Sequence, residues 1–264
     1  MLKSSIRFKF YLAVLGMFIT PYRAFCAPGD SSALSPEVQA KIAAAMSEAD
    51  HNRDAEAFDL MRQVVASAPG NAHLNLLAAG EAIEAMQPDL ALQYAQKAEQ
   101  LDAGDWTIHL TLLAAYAGMG NVQERERERA IVRQFHFDGA HPEAAQSTSF
   151  MVEYFPVKNY RVRAIEYFLP QGEEHFTYRF QVYDQSGRQV WSIALESDDL
   201  SQPSWVATHH QLAAIGQREY SLEGYGEGNH TLYRNFSGKP SYDDVRAEVV
   251  KILNAPTTVL RAAE

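Results

Sequence analysis

The sequence predicts an α+β protein in two parts, a short array of helical hairpins followed by an antiparallel β-sheet carrying one C-terminal helix. Three observations predict it. In the first half, small-residue-rich helices recur at an offset of 34, placing Ala57 and Ala91, Val64 and Ala98, and Pro69 and Ala103 one repeat apart. That is a period expected of stacked helix-turn-helix units. From Thr148 onward alanine thins out, and Phe176, Tyr178, Phe180 and Val182 alternate with Thr177, Arg179 and Gln181, as strands with one solvated face do. Near the end, SYDDVRAEVVKILN sets Tyr242, Val245, Val249, Ile252 and Leu253 on one helical stripe.

The first 26 residues read as a secretory signal. Lys3, Arg7 and Lys9 make a basic start, Tyr11 to Thr20 is a short apolar run, and small residues follow the helix breaker Pro21. Cleavage after Cys26 places Ala24 at the small-residue position. Phe25 and Arg23 stand where a lipoprotein signal needs a small and an aliphatic residue, so lipidation is not expected. The expected destination is the periplasm or the exterior. Cys26 is the only cysteine, so the mature chain would have no thiol nucleophile and no disulfide.

Charge narrows the partners. Residues 27–147 hold 8 Lys and Arg against 18 Asp and Glu, and residues 148–264 hold 11 against 15. An acidic field of this size repels phosphate backbones, which disfavours nucleic acid. No stretch after the signal is long and apolar enough to span a membrane.

Residues 27–36 form a flexible lead-in, with Ser35 placed to cap a helix and Pro36 in its first turn. Glu37 to Asp50 is the first helix, His51 to Asp54 its turn, and Ala55 to Ala68 the second helix. Ala72 to Met86 and Leu90 to Leu101 make the next pair. A third starts near Trp106 and turns after Tyr116 at Gly118-Met119-Gly120-Asn121. The small pairs Ala78-Ala79 and Leu113-Ala114, Tyr116, Ala57, Ala91, Ala98, Pro69 and Leu101-Asp102 together resemble the tetratricopeptide repeat family over residues 37–135. The resemblance implies about three repeats and a protein-binding groove along the first helices. Its groove positions project onto His73, Leu76, Gly80, Ile83 and Glu84, then onto Thr107, Leu110, Ala114, Ala117 and Gly118. The run Glu124-Arg125-Glu126-Arg127-Glu128-Arg129 reads as a solvated helix capping the array.

Residues 136–147 read as a polar linker containing Gly139 and Pro142. Six strands are expected within 148–254, with Asp184 to Gly187 closing a hairpin and Gly187 in the left-handed conformation. Ser241 starts the last helix, Pro256 ends it, and 255–264 is a frayed tail. The segments VWSIALESDDLSQP, REYSLEGYGEGNHTLY and PSYDDVRAEVVKIL resemble a C-terminal segment of exported bacterial tetratricopeptide proteins. That likeness implies no activity.

The residues offer little for catalysis. Gly224 to Asn229 is glycine-rich but leads into a strand, so it reads as a wide turn and lacks the helix start a phosphate loop needs. His209-His210 and Glu173-Glu174-His175 lack the helical spacing of zinc motifs. No enzyme, metal or cofactor is expected. The leading expectation is a non-enzymatic exported adaptor that binds a protein or peptide through its groove. The alternative is a small-molecule or glycan-binding module in the sheet, using aromatics such as Tyr154, Tyr160, Tyr167, Tyr183, Trp191 or Trp205, with the repeats as a spacer. A further alternative leaves the groove filled by the chain's own C-terminal half.

Overall fold

The computed structural model describes residues 34–139, 141–168, 176–197, 219–226, 230–238 and 240–255. Helix α1 (Pro36–Asp50) starts as its sequence dictates: the Ser35 hydroxyl accepts from the Val38 amide, and Pro36 fills a first-turn position where a missing N–H costs nothing. With α2 (Asp54–Ser67) it forms the first hairpin. The second pairs α3 (Ala72–Glu84) with α4 (Pro88–Leu101), and the third α5 (Thr107–Gly118) with α6 (Val122–Asp138).

Each hairpin turns in the same way. The chain enters the left-handed region at Asn52 (φ 57°), Met86 (φ 59°) and Gly120 (φ 70°). The next amide then reaches back five residues, from Arg53 to the Glu48 carbonyl (3.0 Å), Gln87 to Ala82 (2.8 Å) and Asn121 to Tyr116 (2.9 Å). These are Schellman caps, which satisfy carbonyls that a helix end otherwise leaves bare. The three caps lie 34 residues apart, so the period is written in the backbone as well as in residue type. Ala57, Ala78, Ala79, Ala91, Ala95 and Ala98 are wholly buried between the helices. Their size permits close backbone approach, and stacking buries what one hairpin cannot bury alone.

Strands β1 (Ser149–Val157), β2 (Tyr160–Tyr167), β3 (Phe176–Tyr183), β4 (Gln189–Ser197), β5 (Glu219–Gly226) and β6 (His230–Ser237) form one antiparallel sheet in sequence order. Asp184 to Gly187 closes the β3–β4 hairpin, with Gly187 at φ 79°. Register rows run straight across one face: Phe155, Val162, Val182, Trp191 and Gly226 in one, Glu153, Ala164, Phe180, Ile193 and Gly224 in the next. Helix α8 (Tyr242–Asn254) covers this face with Tyr242, Val245, Val249, Ile252 and Leu253. Its Ser241 and Asp244 form a reciprocal capping box. Gly224 and Gly226 thus belong to β5 and not to a turn. A side chain at Gly226 would overlap the Trp191 ring, and one at Gly224 would press on Ile193.

The stretch that reads as a linker is packed structure. Helix α6 continues to Asp138, and α7 (Pro142–Gln146) follows it with Ala144 fully buried. His136 stacks on Phe168 at 3.9 Å and donates to the Ala144 carbonyl (2.8 Å). The apolar core accordingly crosses between the halves: Trp106, Leu110, Leu113 and Val132 of the array belong to the same cluster as Phe150, Phe180 and Val249.

Candidate functional site

The charged run of α6 forms the joint. In a helix, the alternation Glu-Arg-Glu-Arg resolves into rows four residues apart, so Arg125, Arg129 and Arg133 share one face. Arg125, 4% exposed, grips both Asp243 oxygens at 2.8 Å. Arg129 reaches Glu166 at 2.6 and 2.9 Å and the Tyr178 hydroxyl at 2.5 Å, and Arg133 adds 2.9 Å to Glu166. Burial works against the charge on Arg129, but the Glu166 carboxylate outweighs it and raises the pKa. The reading of α6 as a solvated cap is therefore corrected: its arginine face is docked on the sheet and α8, and its outer flank carries exposed Arg127 beside half-buried Glu124.

A second carboxylate, Glu153, is held on the same sheet face by a backbone irregularity. The β1–β2 register slips between Met151 and Glu153. The extra residue turns Glu153 toward α8 and Tyr154 toward the array. Glu153 is 1% exposed, accepts from the Tyr242 hydroxyl (2.6 Å) and pairs with Arg246, whose guanidinium lies 4.1 Å over the Phe155 ring. Burial raises the Glu153 pKa against the pull of Arg246.

The opposite face of β1 and β2 enters the groove. Met151 and Tyr154 pack with Phe58, Ala82, Ile83, Ala91, Ala114 and Ala115. Arg161 pairs with Asp54 at the start of α2 and donates to the Glu84 carbonyl (3.3 Å). Glu84 sits against Tyr154 and Arg163, and burial raises its pKa despite them.

The ten projected groove residues separate accordingly. Ile83, Glu84, Leu110 and Ala114 lie against the sheet. Leu76 packs inside the array with Ala95, Ile108 and Leu112. Gly80 and Ala117 are buried, and Gly118 lets Pro88 approach, since an added Cβ would lie 2.9 Å from its ring. His73 and Thr107 keep partial exposure at the amino ends of their helices, Glu84 keeps some at the end of α3, and Gly118 is exposed. Burial lowers the His73 pKa, with Asp105 opposing. One repeat earlier the equivalent positions are Gln39, Ile42 and Met46 on α1. They are exposed or half-exposed, so among the described residues that end is less covered than α3 and α5. The family pattern could locate groove positions, but only the fold could say which of them a neighbour covers.

Beside the covered groove, where the β1–β2 and β3–β4 turns meet the array and the end of α8, are two adjoining cavities of about 460 and 310 Å³. Among the described residues no group of His, Cys, Asp or Glu is arranged to hold a metal, and no helix is long and apolar enough to cross a membrane. His209-His210, Glu173 to His175, Trp205 and the signal lie outside the described residues. Of the sheet aromatics, Tyr154 and Trp191 are each 9% exposed, while Tyr160, Tyr167 and Tyr183 are half-buried.

No family model matches the chain, and no curated protein matches it. Solved structures do. The chain is similar to the Sgt2 TPR domain from Aspergillus fumigatus at 17% identity, covering 42% of this chain and 74% of that one, with a TM-score of 0.37. It is also similar to a structure described as MamA MSR-1 C2 at 18% identity, covering 44% and 74%, with a TM-score of 0.33. The repeat architecture rests on the three equivalent caps and not on these likenesses.

Proposed function

We propose that the chain is a non-enzymatic exported adaptor whose helical repeats bind a protein segment at the α1 end of their groove. The observation that supports this is the manner in which the rest of the groove is filled. An extended strand of the same chain lies against α5 and α3, anchored by Met151 and Tyr154. A groove that accepts an extended segment with apolar anchors at α3 and α5 offers comparable chemistry at α1, where Ile42 and Met46 are half-exposed. The covered part gives the sheet a fixed orientation, so the repeats act as both platform and receptor. The phosphate-bearing and other anionic partners of an electropositive surface do not suit a chain with 33 Asp and Glu against 23 Lys and Arg.

Affinity capture from an envelope extract tests this, with Ile42→Glu/Met46→Glu as the control. Charges at Leu76 or Leu110 would be unsuitable controls, since these residues are 3% and 8% exposed and their substitution would unfold the array. The adaptor reading expects a protein retained by the wild type and lost with the double variant, at unchanged circular dichroism. Equal recovery by two folded proteins would remove the groove from the account.

A further inference from the structure

We propose that the paired cavities at the turn end of the sheet form a binding site for a neutral oligosaccharide. The site is separate from the α1 groove, so either reading can fail alone. The larger cavity, about 460 Å³, falls within the size range of small-ligand pockets. Half-buried Tyr160 lines it together with Ile252, Leu253 and the 9% of Trp191 that Gly226 and the core leave exposed. An aromatic ring such as that of Tyr160 attracts the C–H-rich face of a sugar ring, because the ring quadrupole is negative above its plane.

The charged groups around the cavity each have a partner within the chain. The Lys158 ammonium donates to the Asn254 carbonyl at the end of α8 (2.9 Å), where a helix carries negative partial charge. The Asp184 carboxylate accepts from the Ser186 amide (2.9 Å), the Ser186 hydroxyl (2.6 Å) and the Arg188 amide (3.0 Å). In the smaller cavity Arg161 is paired with Asp54. What projects without such commitments is the pair of amides on Asn159 and Gln185, both exposed and shared by the two cavities. Each amide offers a donor and an acceptor together, matching the hydroxyls of a sugar. Charges that each have a partner in the chain, together with open amides and the Tyr160 ring, suit a neutral polyol better than an anion or a cation.

Backbone strain supports the assignment. Lys158 occupies the first central position of the β1–β2 turn at φ 53°, a place where hairpins favour glycine. Non-glycine residues held there concentrate at functional sites. This one fixes Asn159 at the junction of the two cavities.

The test is calorimetric and tryptophan-fluorescence titration of the full chain with maltotriose, cellotriose and chitotriose, with inorganic phosphate as the anionic probe. The variant is Asn159→Ala/Gln185→Ala, which changes two exposed side chains. The expected result is saturable binding of at least one trisaccharide, weakened about tenfold in the variant at unchanged circular dichroism, with no saturation by phosphate. Absence of saturable binding to all three sugars, binding that the variant does not alter, or saturation by phosphate instead would each overturn the site.

Discussion

Arg129 of α6 and Glu166 of β2 meet through two hydrogen bonds, at 2.6 and 2.9 Å, with Glu166 only 1% exposed. The pair joins the helical array to the sheet and is reinforced by Arg133 and Tyr178. Removing one partner of a buried pair strands the other charge and costs about 3–5 kcal/mol. Arg129→Met should therefore lower the unfolding free energy by about 3 kcal/mol in urea denaturation, and Arg129→Met/Glu166→Met should cost less than the two single changes added together. A loss below about 1 kcal/mol is what an exposed pair would give, and would return α6 to the solvent.

The β3–β4 turn touches the first repeat. A Cβ added to Gly187 would come within 2.5 Å of the Asn52 side chain, whereas one added to Gly120 would meet nothing. Both glycines have positive φ, so alanine costs about 1–2 kcal/mol at each for backbone reasons alone. Gly187→Ala should be the more destabilising, and Asn52→Gly should recover that excess beyond the change it makes alone or beside Gly120→Ala. Thermal denaturation of the wild type, the three single variants and the two double variants checks this. Equal costs at the two glycines would mean the turn does not touch Asn52.

Glu84 gives the covered groove a pH signature. Burial raises its folded pKa above the ordinary carboxylate value, with Arg163 and Tyr154 opposing. A folded pKa above the unfolded one means the folded state holds the proton more tightly. The resulting stabilisation is fully present below the unfolded value of 4.5 and is lost as pH rises through the folded pKa. Glu84→Gln has no proton to lose there. Its melting temperature relative to wild type should rise between pH 4 and pH 8. A difference that stays constant across that range would mean that Glu84 is solvated.

Much of the fold was legible because it depends on local periodicity. The 34-residue offset marks the hairpins, and the alternation of Phe176, Tyr178, Phe180 and Val182 marks a strand. Ser35, Gly187 and Ser241 act as their positions suggest. What escaped sequence reading depends on tertiary partners. The acids that pair with Arg125 and Arg129 lie 118 and 37 residues further along, so composition alone makes α6 look solvated. The slip in β1 that reverses Glu153 and Tyr154 has no residue signature. The groove positions were nameable from the repeat, yet four of them face a sheet whose docking no pattern within the array encodes.

The central claim is that the sheet closes the groove over α3 and α5 and, among the described residues, leaves the α1 end less covered. Maleimide labelling tests it most directly, using Ala114→Cys and Met46→Cys in a Cys26→Ser background. Ala114 is 2% exposed beneath β1, and Met46 is half-exposed on α1. The account predicts prompt modification at position 46 and, at position 114, reaction only as fast as the protein unfolds. Modification of both cysteines at the same prompt rate, with the protein still folded, would contradict it.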